Sequence, residues 1–339
     1  MTDVLLDRPA AARTARPRIG FLGVGWIGRH RMEAMIGTGV IEAAAIAEPS
    51  PEALAAALEL APEAEQCHGL DALLEAGLDG VVIATPSALH AEQTIRALEA
   101  GVAVFCQKPL GRTEAEVRAC VAAARETDRL LAVDLSYRFT EGVARIRELL
   151  REGELGRVHA VDLTFHNAYG PDKPWFYDPA LSGGGCVMDL GVHLVDLALW
   201  LVDSPVIDVQ SSLFAGGRPL GGAGAAEDYA VATLTLESGC LVRLACSWKL
   251  HAGQDAVISA AFYGGRGGAA LSNVGGSFYD FTAERFRGTS REILASPPDA
   301  WGGRAAADWA SRLAAGEGFD PEVERLERVA RVLDRIYGR

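Results

Sequence analysis

From Ile19 onward, short apolar runs alternate with stretches whose apolar residues recur every three or four positions. "RIGFLGV", "IEAAAIA", "DGVVIATP", "VAVFC" and "RLLAVDLS" have strand length. Between them, "GWIGRHRMEAMIG", "SPEALAAALEL", "LDALLEAG", "SALHAEQTIRALEAG" and "TEAEVRACVAAARETD" carry helical spacing. The caps agree with this division. Ser50 precedes Pro51, Ser87 and Thr113 stand as predicted N-caps, and Gly37 and Gly101 close their helices. Strand and helix alternating at this spacing predict βαβ units, a parallel sheet with helices on both faces.

Near residue 140 the pattern changes. "EGVARIRELLREGELG" predicts a helix, "RVHAVDLTFHNAYG" a long strand, and "CVMDLGVHLVDLALWLV" an apolar helix after a loop containing Gly and Pro. Extended segments at 206–214, 227–236, 240–250 and 256–263 then follow one another without helices, which predicts an antiparallel sheet. The Gly-rich pieces 215–224 and 264–276 read as hairpin loops, and helices near 303–315 and 321–337 close the chain. At 339 residues the chain exceeds one comfortable core, so two domains are expected.

Composition narrows the function. Hydrophobic residues at 49% and charged residues at 23% describe a globular protein. A net charge of −13 argues against nucleic acid or an anionic membrane as partner. The six cysteines (67, 106, 120, 186, 240 and 246) contain no C-x-x-C pair, so zinc ribbons and disulfide frameworks are excluded and buried free thiols in a reducing cytoplasm are expected. The first 17 residues lack an apolar core of signal-peptide length, and Asp3 and Asp7 argue against a transit peptide, so they read as a mobile tail. "VHLVDLALWLV" is too short to span a bilayer.

Two constellations carry chemistry. In "GFLGVGWIGRH", Gly23-x-Gly25-x-x-Gly28 follows a predicted strand and opens a predicted helix, the context a dinucleotide fingerprint needs. Gly23 permits the tight turn, Gly25 leaves room for a pyrophosphate, and Gly28 lets helix and strand pack closely. The helix N-terminus offers N–H groups and a positive dipole end to the anion. Glu48 ends the second strand about 20 residues further on, the place of the carboxylate that holds ribose hydroxyls. No cation follows it in Pro49–Glu52, so NAD is expected in preference to NADP. The second constellation is "GGGCVMDLGVHLVD", where Asp189 and His193 are spaced i, i+4 and share a helix face, with Asp196 three residues beyond. A proton-transfer pair, a structural hydrogen-bonded pair and a metal site are the alternatives for these residues. No H-E-x-x-H or Cys cluster supports the metal, so none is expected.

Taken in order, Gly23-Val-Gly25-Trp-Ile-Gly28, "ATPSALHAEQTIRALEAGVAVFCQKPL", "YRF" at 137–139 and "GGGCVMDLGVHLVDLALWL" resemble the glucose-fructose oxidoreductase / inositol dehydrogenase / rhizopine-catabolism family of NAD(P)-dependent oxidoreductases. The resemblance covers Arg18 to about Arg335. It implies an α/β Rossmann dinucleotide-binding domain over 18–138, and over 139–339 an α+β substrate and oligomerisation domain with an open, mainly antiparallel sheet. It also implies a C-terminal helix that packs back on the first domain, and a homo-oligomer, dimer or tetramer, through that sheet. Lys108, Asp189 and His193 match the family's catalytic residues. Trp26, Ile27, Thr85, Pro86, Ser87, His90 and Gln107 join the glycines and Glu48 as cofactor-side residues. Tyr137, Arg138, His166, Asn167 and Trp175 are candidates for the pocket. The implied substrate is a sugar, polyol or related hydroxyl or carbonyl compound. His193 would move the proton, Lys108 would polarise the substrate oxygen, and Asp189 would orient the imidazole or hydrogen-bond a neighbouring hydroxyl. A redox-assisted NAD-dependent glycosidase and a non-catalytic dinucleotide sensor are the competing readings. The family's usual Glu before Lys-Pro is Gln107 here, which gives Lys108 less electrostatic support and is expected to modulate the site without being essential.

Overall fold

The computed structural model describes residues 15–221 and 224–339. Most of the predicted tail at 1–17 and two residues of the piece 215–224 lie outside them. The first half builds one six-stranded sheet from β1 (Arg18–Leu22), β2 (Glu42–Ala47), β3 (Glu65–Gln66), β4 (Gly80–Ile83), β5 (Ala103–Cys106) and β6 (Leu131–Val133). All its pairings are parallel, in the order β3-β2-β1-β4-β5-β6. β4 and β5 are buried along their whole length, as strands covered on both faces must be. The crossovers are α1 (Trp26–Gly37), α2 (Pro51–Leu58), α3 (Leu70–Glu75), α4 (Ser87–Glu99) and α5 (Glu114–Thr127). Ser50 Oγ accepts the Ala53 N–H and Thr113 Oγ1 the Glu116 N–H, so both predicted caps form. Ser87 differs. It is the first helical residue, Pro86 holds the cap position, and no side chain caps α4. The strand order reverses between β1 and β4, and an open α/β sheet binds ligands at such a switch point.

A short 3-10 turn (Ser136–Phe139) leads into α6 (Glu141–Arg151) and β7 (Val158–Asn167). After α7 (Pro179–Ser182) and a wide π-helical turn (Val187–Gly191), α8 (Val192–Val202) crosses the second sheet. This sheet has nine strands: β7, β8 (Val206–Ala215), β9 (Arg218–Pro219), β10 (Tyr229–Leu236), β11 (Leu241–Ser247), β12 (Ala256–Gly264), β13 (Gly268–Asn273), β14 (Phe281–Arg287) and β15 (Ser290–Ala295). Their order is β15-β14-β13-β12-β7-β11-β10-β8-β9.

The second sheet is mainly antiparallel, as expected, with one parallel pairing, β7 with β11. The α8 crossover returns the chain along the sheet, and the β8-β10-β11 meander then brings β11 beside β7 in the same direction. The piece 264–276 is no plain loop, since β13 occupies its middle. Gly268–Leu271 are buried in succession, so the strand shows none of the alternation that marks a half-exposed one. The segment Pro179–Val202 is longer than the apolar run suggested, and by length and composition it passes for a membrane span. Of its most apolar 18-residue stretch, 83% is buried within the protein, and α8 packs on the second sheet and the last helix.

The last two helices return to the first sheet. α9 (Arg304–Ala314) packs on α1, and its fully buried Trp309 lies 5.9 Å from Phe105. α10 (Arg325–Tyr337) lies against both α5 and α8, and Asp334 accepts the Glu114 N–H at 2.8 Å. These contacts fix how the two sheets face each other across the site.

Candidate active site

The loop after β1 behaves as its glycines demand. Gly23 has φ +86°, and a Cβ there would lie 2.7 Å from the Ala84 carbonyl oxygen. A Cβ at Gly28 would come within 2.3 Å of the Gly23 oxygen, so helix and loop touch through it. A Cβ at Gly25 meets nothing within 4 Å. It would project into open space at the N-terminus of α1, which has no side-chain cap and no acidic residue in its first turn. A pyrophosphate fits this cradle, with free N–H groups and a positive dipole end ready for it. Glu48 braces the loop: one carboxylate oxygen accepts the Val24 N–H at 2.8 Å, the other the Ser50 N–H at 2.9 Å. A carboxylate has about four acceptor sites, so capacity for ribose hydroxyls remains. Gly25→Val tests the cradle. The free protein should melt as the parent does, because the added atoms touch nothing, while NAD affinity should fall about a hundredfold. Equal affinity in a cofactor titration would show the loop to be an empty βα turn.

Thr85 and Pro86 follow β4 beside this loop, and Thr85 Oγ1 donates to Gln93 Oε1 at 2.6 Å. His90 does not face the cradle. It is buried, with Nε2 2.7 Å from the Thr85 carbonyl and Nδ1 2.7 Å from the Pro109 carbonyl. The ring pins the Thr-Pro turn to the Lys108–Pro109 step and so fixes where Lys108 points.

Lys108 Nζ donates to Asp189 Oδ1 and to the Asp189 carbonyl, both at 2.7 Å. The other carboxylate oxygen accepts Trp248 Nε1–H at 3.0 Å. The Asp189 carboxylate therefore orients the lysine. Among the described residues it makes no hydrogen bond to His193. The expectation from i, i+4 spacing fails because Asp189 sits in the π-helical turn, whose larger number of residues per turn shifts its direction relative to α8. Asp196 is also accounted for. It binds the guanidinium of Arg138 through two hydrogen bonds, so Asp189, His193 and Asp196 form no ligand set. Among the described residues there is no metal-competent cluster of three.

His193 is 8% exposed, and its ring makes no hydrogen bond among the described residues. Tyr137 packs edge-on against it at 4.9 Å. Burial pushes its imidazole well below the usual value, and the Lys108 and Arg31 charges push the same way. It is therefore neutral at physiological pH and able to accept a proton. Burial likewise raises the Tyr137 phenol, which stays protonated.

A cavity of about 870 Å³ joins these groups, with Trp26 and Ile27 of the cofactor loop on the same wall system as Lys108, Tyr137 and His193. Four predicted pocket residues do not line it. Arg138 turns to Asp196 and lies over Trp200. His166 bonds Ser247 Oγ and stacks on Tyr229. Asn167 Oδ1 accepts the Tyr169 N–H in a local turn, and Trp175 stacks on Phe176 at 3.8 Å.

Sequence reading missed two supports. Buried Asp134 accepts Arg31 Nε at 2.6 Å, Gln107 Nε2 at 2.8 Å and the Ser136 hydroxyl. Gln107 thus belongs to a buried scaffold beside Lys108. Gln107→Glu would set two carboxylates against each other there. The new carboxyl would titrate above its unfolded value of about 4.3, and stability would fall as pH rises past that value, by about 3 kcal/mol at neutrality. Denaturant midpoints across pH should show the gap from the parent widening with pH; a constant gap would contradict the arrangement. The second support is Glu227, buried, which accepts the Gly185 and Val187 N–H groups at 2.9 and 2.8 Å and the Tyr337 hydroxyl at 2.7 Å. A Cβ at Gly184 would lie 2.0 Å from the Tyr337 hydroxyl, so the Gly-Gly-Gly stretch is what lets the site helix seat here.

Two family models match the chain: the oxidoreductase family NAD-binding Rossmann fold over residues 17–135 and the GFO/IDH/MocA C-terminal domain over residues 143–270. Inositol 2-dehydrogenase of Rhizobium meliloti (strain 1021) is 30% identical over 262 residues, 76% of each chain. D-glucoside 3-dehydrogenase of Escherichia coli (strain K12) is 28% identical over 211 residues, and the match spans 59% of this chain and 60% of that protein. The structure of levoglucosan dehydrogenase in complex with NADH and levoglucosan superposes with a TM-score of 0.81 over 96% of this chain and 97% of that one. At 22% identity that likeness shows a common fold. With family models matching residues 17–135 and 143–270 and the dinucleotide cradle formed, the chain belongs to the GFO/IDH/MocA family of NAD-binding oxidoreductases.

Proposed function

We propose that the chain is an NAD-dependent dehydrogenase or reductase acting on one CH–OH or carbonyl group of a sugar, polyol or related compound. The observation that carries this reading is the single cavity in which the cofactor loop meets Lys108 and an unpartnered His193. Gly23–Gly28 would hold the dinucleotide, with Glu48 for its ribose hydroxyls and Thr85 and Pro86 for its nicotinamide end. Bound there, it supplies hydride-transfer chemistry, and the protein has to position reactants and manage one proton. An ammonium has three donors, and Asp189 takes two from Lys108, which leaves the third N–H for the substrate oxygen. His193 accepts the hydroxyl proton at a ring nitrogen during oxidation and returns it during reduction. Tyr137 holds the ring in place and offers its hydroxyl, which has no partner among the described residues.

Residues 18–138 serve the cofactor and 139–339 the substrate. The second sheet is also the surface for homo-oligomerisation. Exposed Leu241 and Tyr263 on its outer face support that reading, and a cytoplasmic location accords with six buried free thiols. The test is a panel of sugars and polyols with NAD and NADP, read as reduced nicotinamide. At least one compound should be oxidised, with NAD favoured about tenfold or more, because Glu48 repels a 2′-phosphate. Sugar release without net cofactor reduction would point to a glycosidase, and a clear NADP preference would remove Glu48 from its role.

A further inference from the structure

The wall of the cavity beyond His193 has no part in the chemistry above. It runs outward as a chain of rings: His193 to Tyr137 at 4.9 Å, Tyr137 to Trp301 at 5.0 Å, and Trp301 to Tyr279 at 6.4 Å. Trp301 is buried and fixed, for its Nε1–H donates to the Tyr279 carbonyl at 2.8 Å and its ring packs on Phe281. Tyr279 stands at the mouth, 52% exposed, and its hydroxyl makes no hydrogen bond among the described residues. Phe278 completes the wall. A cavity of about 870 Å³ lies near the top of the range of about 300–1,000 Å³ that holds drug-sized ligands. One pyranose at Lys108, even beside a nicotinamide, leaves the outer wall uncovered.

We propose that this wall is a second subsite and that the substrate is a glycoside, a sugar ring reacting at Lys108 and His193 that carries a second sugar ring stacked on Tyr279, whose ring the buried Trp301 backs. The proposal rests on the dehydrogenase reading and names its substrate class. A pyranose presents an apolar C–H face and a rim of hydroxyls. Rigid aromatic faces take the first, since large flat side chains give contact area at little entropic cost. The Tyr279 hydroxyl takes the second, and Glu33, exposed on α1 and without an ion pair among the described residues, also lines the cavity. The mixed rim favours a sugar over a purely apolar aglycone.

The experiment uses the full chain with NAD. Methyl β-glucoside, phenyl β-glucoside, cellobiose and the corresponding galactosides are compared by kcat/KM. In parallel, saturation-transfer NMR on the NADH complex reads which sugar protons touch the protein. The disaccharide of whichever ring reacts should exceed its methyl glycoside by about tenfold, the combined worth of one stacking contact and one hydrogen bond. Its non-reacting ring should show saturation transfer. Tyr279→Ala should bring that ratio to within about twofold of unity and abolish transfer to the second ring, with Tyr279→Phe in between. Equal efficiencies for disaccharide and methyl glycoside, a ratio that Tyr279→Ala leaves unchanged, or an advantage confined to the phenyl glycoside would overturn the second-sugar subsite. If no compound is oxidised but the second ring still shows transfer that Tyr279→Ala removes, the dehydrogenase reading fails and the subsite stands.

Discussion

The His193→Asn enzyme turns over about 10²–10⁴-fold more slowly than the parent on the same alcohol, the usual worth of a positioned acid or base. Its NAD affinity stays close to the parent's, because the cradle at Gly23–Gly28 is built on β1 and α1 and does not touch His193. The pH dependence carries the sharper signature. The imidazole must be neutral to accept a proton, and burial with the Lys108 and Arg31 charges lowers its pKa from the usual value of about 6.5. The oxidation rate in the parent therefore rises from acid pH, levels off below that value, and is flat through neutrality. The same depression costs stability in acid. A histidine whose folded pKa is lowered destabilises the fold as pH falls below its unfolded value, and His193→Asn removes that penalty. Steady-state kinetics and melting curves across pH check both. A limb above about 6.5 that survives in His193→Asn would assign the proton to another group.

Lys108→Met produces the second large effect, a loss of about 10²–10³ in kcat/KM, as expected when a preorganised donor to the reacting oxygen is removed. Methionine fills much of the same space but cannot donate. The Asp189 carboxylate is left with Trp248 Nε1–H as its one side-chain partner among the described residues. Lys108→Arg should fail to rescue, because a planar fork cannot bond both the Asp189 carbonyl and its carboxylate and still present a third donor inward. Full activity in Lys108→Arg would mean that bulk charge alone is needed there.

The sequence was most informative where function is local. Gly23, Gly25 and Gly28, the Ser50 and Thr113 caps and the alternation of β1–β6 with α1–α5 each act within a few residues, so spacing alone exposes them. It was least informative where partners are far apart. Lys108 and Asp189 are separated by 81 positions. Gln107 and Asp134 are separated by 27, and Glu227 and Tyr337 by 110. Nothing periodic announces such pairs. The i, i+4 spacing of Asp189 and His193 misled because it assumes α-helical pitch, and the π-helical turn breaks that assumption. His166, Asn167 and Trp175 are polar or aromatic residues near a site helix, but their local turns and stacks occupy them. β13 escaped because Gly268 and unbroken burial hide the two-residue period, although the loops after β13 and β15 carry Tyr279 and Trp301 to the cavity.

The most direct measurement follows the hydrogen itself. A substrate found in the panel is labelled with deuterium at the carbon bearing the reacting hydroxyl and converted with NAD. The reduced cofactor is then examined by mass spectrometry. Each reduced nicotinamide should carry one deuterium, accumulating one-for-one with oxidised product, and the rate of that transfer should fall by the factors given above in Lys108→Met and His193→Asn. Reduced cofactor without label, or product formed while the cofactor stays oxidised and unlabelled, would contradict it.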